Sequence, residues 1–202
     1  NYAEAEALYK RALAIREKAF GTEHPELATV LNNLGLLYDD LGNFTKAESL
    51  YKRALTIYEK VYGSEHLDVA TSINNLGLLH YKNGSYEESE ALLKKSLAII
   101  EKILDPEHPD IALGLNNLSL LYSDIGNFAK AELLLKRALT IYEKVYGSEH
   151  PNVATGIGNL GLLYYKQARY EESEALYKKS LAVKEKILNP DHPDIAISLN
   201  NL

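Results

Sequence analysis

Apolar residues recur at helical spacing along this chain, and each helical stretch is followed by a turn signal. Between Pro25 and Leu41, apolar side chains stand at positions 27, 30, 31, 34, 37, 38 and 41, which places them on one face of a helix. Gly42-Asn43 is typical of a helix end and a short turn. A second apolar stripe runs from about Phe44 to Tyr62 and ends at Gly63. Residues 25 to 66 are therefore predicted to form two antiparallel helices, a helical hairpin.

This pattern returns every 42 residues. Asn-Asn-Leu begins at positions 32, 74, 116 and 200, with Gly-Asn-Leu at 158, and a histidine precedes each hairpin at positions 24, 66, 108, 150 and 192. A fixed period of this length is typical of a solenoid, in which each unit buries its apolar face against its neighbours. We predict one array: a lone second helix at 2–20, full repeats at 25–66, 67–108, 109–150 and 151–192, and the start of a further repeat at 193–202. Residues 43–118 and 127–202 are identical at 58 of 76 positions, so repeats of two types alternate.

Small and large residues alternate at fixed places within the repeat. Gly35 in the first helix stands near Tyr38, and Ala47 and Ala54 recur in the second helix as alanine or serine. Small residues allow two helix axes to approach, and a large ring fills the space beside them. We interpret this alternation as a packing pattern with a structural role.

Several of these residues resemble a known signature. Leu34-Gly35, Tyr38, Phe44, Ala47, Tyr51 and Ala54 match the tetratricopeptide repeat in order and spacing. The 42-residue length, the Glu-His-Pro before the first helix and the Leu-Asn-Asn-Leu core resemble the kinesin light chain type of that repeat. The resemblance implies an all-α fold, a right-handed superhelical solenoid of antiparallel helix pairs. It also implies a non-enzymatic scaffold whose first helices line a concave groove for a peptide or an extended protein segment.

The face of each first helix opposite its packed side is the candidate groove. In the register that the periodicity favours, this face carries asparagines, leucines and a mixed set of charged and aromatic residues near the helix end. The candidate peptide-binding residues are Asn32, Leu36, Asp39, Asn74, Leu78, Tyr81, Lys82, Asn116, Leu120, Ser123, Asp124, Leu162, Tyr165 and Lys166.

Each set of groove residues has a structural alternative. An Asn amide both donates and accepts, so Asn32, Asn74 and Asn116 suit the backbone of an extended peptide, but they suit a bond to the next repeat equally well. For Asn33, Asn75, Asn117 and Asn159 we favour stacking between repeats. The leucines could anchor a partner or, as we favour, lie half-buried where adjacent first helices touch. The alternating charges suit a ligand of mixed charge or only a solvated face.

Charge and composition narrow the function. The net charge of −6 disfavours a general binder of nucleic acid or of anionic membranes. The chain has no cysteine, which is compatible with a reducing cytoplasm, and no apolar run long enough to span a bilayer. We expect a cytoplasmic protein without a cofactor or a metal. Since the repeated histidines each precede a helix, we assign them to capping, and we assign His80, which replaces a packing tyrosine, to the core.

A second hypothesis belongs to a different class of function. The chain begins and ends within a repeat and is eight residues short of five 42-residue periods. Apolar faces of the terminal helices would then be uncapped, and copies could associate head to tail. The alternative to a peptide-binding protein is therefore a structural, self-assembling array or spacer.

Overall fold

The computed structural model describes residues 2–202, and in that range every regular element is an α-helix. Ten helices follow one another through the described residues. They are α1 (Tyr2–Phe20), α2 (Pro25–Asp40), α3 (Phe44–Tyr62), α4 (Leu67–Lys82), α5 (Tyr86–Ile103), α6 (Pro109–Asp124), α7 (Phe128–Tyr146), α8 (Pro151–Lys166), α9 (Tyr170–Ile187) and α10 (Pro193–Asn200). The predicted all-α class is confirmed, and α2 and α3 cover the two stretches expected from the first hairpin.

The repeated histidines begin the first helices. His24 Nδ1 accepts a hydrogen bond from the backbone N–H of Glu26 at 3.2 Å, and the same bond recurs at 3.2 Å before α4, α6, α8 and α10. Each bond satisfies a helix N-terminal donor that has no partner within the helix. The capping role predicted for these histidines is therefore confirmed.

The chain divides into two compact units, residues 1–103 and residues 104–202. In the first unit α2 packs against α3 and α4 against α5, while α3 also contacts α4 and α1 contacts α2. Its core has one cluster around Leu31, Ala54 and Ile73 and another around Leu34, Tyr51 and Leu79. Burial of these apolar side chains, worth roughly 25 cal/mol per Å² of apolar surface, stabilises the stacked hairpins.

The second unit repeats this arrangement. The hairpins α6–α7 and α8–α9 pack internally, α7 contacts α8, and α10 lies on α9. Its fully buried residues include Ile111, Leu115, Ala138 and Ile157, which stand at helical spacing on the faces expected from the sequence.

Close helix crossings explain the small residues. A Cβ built on Gly35 would lie 2.6 Å from Cε1 of Tyr51, and one on Gly77 would lie 2.8 Å from Cδ2 of Leu93. Ser96, at the position of Ala54, is buried and donates to the carbonyl oxygen of Ala70 at 2.7 Å. The predicted packing role of the small residues is confirmed.

Candidate peptide-binding groove

The exposed face of α2 is rotated by about one residue from the face predicted for it. Asn33, Leu36 and Asp40 are exposed, whereas Asn32 and Asp39 are buried. Asn32 Nδ2 donates to Oγ of Ser72 on α4 at 2.9 Å. Of the two roles left open for Asn32, the structure shows the bond to the next repeat. Asn33, which we expected to be nearer the packed side, instead lies on the open face.

In the first unit this face forms a shallow groove with α1. Asn33, Leu36 and Asp40 of α2 lie opposite Tyr2 and Tyr9 of α1 around a space of about 340 Å³. We call it the first-unit groove. On α4 the candidate residues are less open, since Asn74, Leu78 and Tyr81 are partly buried.

In the second unit α6 and α8 enclose a cleft of about 150 Å³, which we call the second-unit cleft. Four predicted groove residues meet there, together with Asn117 and Asn159, which the sequence analysis assigned to stacking. The lining is Asn116, Asn117, Ser119, Leu120, Ser123, Leu135, Asn159, Leu162 and Leu163. The signal that could have placed the second asparagine of each pair is its spacing: positions 33, 36, 37 and 40 differ by three and four residues and share one helical stripe.

The second-unit cleft contains an unsatisfied hydrogen-bond acceptor. Nδ2 of Asn116 donates to the Tyr142 hydroxyl over 3.5 Å, while Oδ1 of Asn116 is buried and has no partner among the described residues. Burial raises the pKa of Tyr142, so its hydroxyl stays protonated at neutral pH. A buried acceptor without a donor costs about 1–3 kcal/mol, which an incoming N–H group would recover.

The charges at the ends of the first helices pair with each other. Lys82 Nζ lies 2.8 Å from Oδ2 of the buried Asp39, and Lys166 Nζ lies 2.5 Å from Oδ1 of Asp124. Each pair joins consecutive first helices, so these four charges largely neutralise one another. Mixed charge is present at the expected positions, but it is engaged within the protein.

The apolar residues of this face are partly open. Leu36, Leu120 and Leu162 expose about two-fifths of their surface, at 44%, 39% and 41%. Tyr165 is 57% exposed, and its ring packs edge-on against Tyr170 at 5.6 Å between centroids. The leucines are thus more open than the half-buried stacking role that we favoured, and they present an apolar stripe along α6 and α8.

Two searches of the described residues bear on other functions. No group of three or more His, Cys, Asp or Glu side chains within residues 2–202 is arranged to hold a metal ion. None of the helices described is both long enough and apolar enough to cross a membrane.

With this geometry in view, the relation to known proteins is clear. A family model described as tetratricopeptide repeat matches residues 1–60, 40–82, 68–144, 134–186 and 152–202. The chain belongs to the tetratricopeptide-repeat family, whose members are generally non-enzymatic protein-interaction scaffolds. No curated protein matches it significantly in sequence.

Solved structures with the same fold include kinesin light chain-like proteins. BtubC (BKLC) from P. vanneervenii is 26% identical with a TM-score of 0.79, over 95% of this chain and 77% of that one. A putative kinesin light chain from Podosopora anserina with nearly identical TPR-like repeats is 28% identical with a TM-score of 0.73, over 92% of this chain and 88% of that one. The apo form of RapI, at 20% identity and a TM-score of 0.76 over 92% of this chain and 65% of RapI, shares the fold. The resemblance to kinesin light chain repeats is confirmed.

Proposed function

We propose that this protein binds a peptide or an extended protein segment along its first helices, with the second-unit cleft as the principal contact. The observation that carries the proposal is the meeting of asparagine amides, partly exposed leucines and the unsatisfied Oδ1 of Asn116 in one cleft. An extended backbone supplies N–H and C=O groups at regular intervals, and its side chains supply apolar surface.

The ligand is recognised mainly through its backbone and apolar side chains. Asp124 and Lys166 already form an ion pair, so a charged ligand would have to break that pair to use either group. Amides can pair with any peptide backbone, and Leu120 and Leu162 favour segments with an apolar side chain near the cleft. The expected ligand is therefore an extended, weakly charged segment with one or two apolar anchors.

A displayed random-peptide library tests this proposal. Peptides are selected on the wild-type chain, and their affinities are then measured for the double variant Leu120→Glu with Leu162→Glu, which places two carboxylates in the cleft. The matched control is Leu133→Glu on α7, because Leu133 is 70% exposed and does not line the cleft. Circular dichroism spectra of all three proteins establish that they are folded.

The proposal predicts that selected peptides lose at least about tenfold in affinity for the cleft variant, which corresponds to about 1.4 kcal/mol, and keep their affinity for the control. Equal binding to the cleft variant and the control would move the site elsewhere. Failure of the library to enrich any sequence on the wild-type chain would refute recognition of linear peptides.

A second candidate function is self-association through the first and last described helices. Leu8 and Ile15 on α1 and Ile197 and Leu199 on α10 are exposed, each by more than half of its surface, whereas Ile57, at the position of Ile15 one repeat later, is buried. Such faces would be covered if α10 of one copy packed against α1 of another.

Light scattering over a range of protein concentrations distinguishes this candidate. Self-association predicts a mass that rises with concentration for the wild-type chain and stays monomeric for Ile15→Glu. A wild-type chain that remains monomeric at high concentration would exclude it.

A further inference from the structure

A polar cleft lies where the α2–α3 turn meets the end of α4 in the first unit. It has a volume of about 470 Å³ and is lined by residues of the turn, by the start of α3 and by the last residues of α4. Glu48, His80 and Asn83 are its functional groups, and Oε1 of Glu48 lies 3.8 Å from Nε2 of His80. We call it the turn cleft. It is separate from the candidate peptide groove, and none of the groove predictions includes its residues.

The same place in the second unit is occupied by an arginine of the chain itself. The guanidinium of Arg169 stacks on the ring of Tyr164, with its carbon 3.6 Å from the ring centroid. Its Nη1 donates to Oε2 of Glu132 at 3.3 Å and to Oε1 of Gln167 at 3.2 Å, and Glu172 binds the other nitrogens at 2.5 and 2.7 Å. An acid, a flat ring and a side-chain amide thus hold one guanidinium there.

The turn cleft keeps these three groups but lacks the arginine. At a distance of 84 residues, Glu48 corresponds to Glu132, His80 to Tyr164, Asn83 to Gln167, Glu88 to Glu172 and Ser85 to Arg169. The two copies differ at only 18 of 76 positions, and the ring, amide and arginine positions are among those 18. Replacement of an arginine by a serine removes the side chain that fills the equivalent site, and the first unit has an open cleft there.

The carboxylate of the turn cleft is charged and oriented as in the filled site. Lys52 binds Oε1 of Glu48 at 2.6 Å, as Lys136 binds Oε1 of Glu132 at 2.6 Å. The hydrogen bond from Lys52 is the main cause that lowers the pKa of Glu48, so this group is ionised at neutral pH. In the filled site Oε1 of Glu132 receives Lys136 and Tyr164, and Oε2 receives Arg169. The corresponding oxygen for a guanidinium in the turn cleft is Oε2 of Glu48.

We propose that the turn cleft binds an arginine side chain of a partner protein, with Glu48 as the charge partner, His80 as the stacking ring and Asn83 as the amide acceptor. Guanidinium suits such a site better than ammonium because it is planar, stacks on a ring and presents several donors in one plane. Arginine is therefore preferred over lysine. This site does not depend on the peptide groove, and each can be present without the other.

The experiment is an NMR titration of the ¹⁵N-labelled full chain with N-acetyl-arginine N-methylamide, and separately with the lysine analogue. The expected result is saturable shifts of the amides of Asn43, Glu48, His80 and Asn83 with the arginine compound. The positions equivalent to them in the second unit, where Arg169 already fills the site, serve as an internal control and should not shift. The lysine compound should bind more weakly, by about fivefold or more.

Three variants complete the test, each checked for a dispersed spectrum that shows folding. Glu48→Gln should weaken arginine binding by about fivefold or more, because a charge-assisted bond becomes a neutral one. Ser85→Arg should abolish binding of the added compound by placing a guanidinium in the cleft. Arg169→Ser should open an equivalent site and produce new shifts at Glu132 and Gln167.

Equal binding of the lysine and arginine compounds, shifts spread over the acidic surface, or unchanged binding to Glu48→Gln would each overturn the proposal. None of these results depends on the library selection, so failure of the peptide groove and failure of the turn cleft are distinguishable.

Discussion

The packing of Gly35 gives the most quantitative prediction. A methyl group added by Gly35→Ala would meet Cε1 and Cδ1 of Tyr51 at 2.6 and 2.8 Å. Distances below 3.0 Å require something to move, and Tyr51 is fully buried in the first-unit core. Overpacking of this kind costs about 1–3 kcal/mol of unfolding free energy.

A second glycine provides the matched control. Gly158, like Gly35, is inside a first helix, but a Cβ there would meet only Oγ of Ser180 at 3.5 Å, an ordinary contact. Alanine exceeds glycine in helix propensity by about 1 kcal/mol in both variants, so this gain cancels when the two are compared. Gly158→Ala should be stabilising by about 1 kcal/mol, and Gly35→Ala should be less stable than it by about 1–3 kcal/mol.

Urea denaturation followed by circular dichroism measures both variants against the wild type, and a change of 1 kcal/mol shifts the melting temperature of a chain this size by about 2–4 °C. Tyr51→Leu in the Gly35→Ala background should recover part of the loss, because the equivalent crossing of α6 and α7 has Ser119 beside Leu135 with both buried. If Gly35→Ala is as stable as Gly158→Ala, the ring of Tyr51 is not the constraint and the argument fails.

Three further predictions concern strain and ionisation. Ala168 has a φ of 58°, where the equivalent residue is Gly84 at 78°, so Ala168→Gly should be more stable by about 1 kcal/mol in urea denaturation. The Tyr51 hydroxyl is buried without a partner among the described residues, and burial raises its pKa, so the free energy of unfolding should fall above pH 10, where only the unfolded tyrosine ionises. Tyr51→Phe should be about 1 kcal/mol more stable at pH 7, and its stability should change less above pH 10. The hydrogen bond from Lys136 lowers the pKa of Glu132, so its contribution is present above the unfolded value near 4.5 and lost as pH falls, and Glu132→Gln should lose less stability between pH 5 and pH 3.

The helices and their packing follow from the local sequence. Pro25 at a helix start, the histidine before it and Gly63 at a helix end act within a few residues of themselves, so their effects repeat with the 42-residue period. The small residue at position 35 has to face another helix closely, and the sequence indicated this because glycine and serine recur there. These features therefore allowed the fold class and the helix pairs to be predicted.

The sequence also limits the function without specifying the site. Its acidic balance disfavours nucleic acid, and its family signature implies protein interaction, but a helical stripe can be read in more than one rotation. Successive residues differ by 100° around the helix, and both Asn32 and Asn33 lie near the edge of the predicted face. Only the position of α4 shows that Asn32 bonds to Ser72 and that Asn33 is open.

Interactions between repeats were decided by tertiary structure alone. Whether Lys166 is available to a ligand depends on its distance from Asp124, which is 42 residues earlier in the chain, and that distance depends on how closely α6 and α8 stack. The turn cleft has the same origin, because Glu48 and His80 meet only when α3 packs beside α4. The sequence determined the helices, their caps and their repeat, since these depend on near neighbours. The stacked structure decided which polar groups are consumed and which remain open, since that depends on distances between repeats.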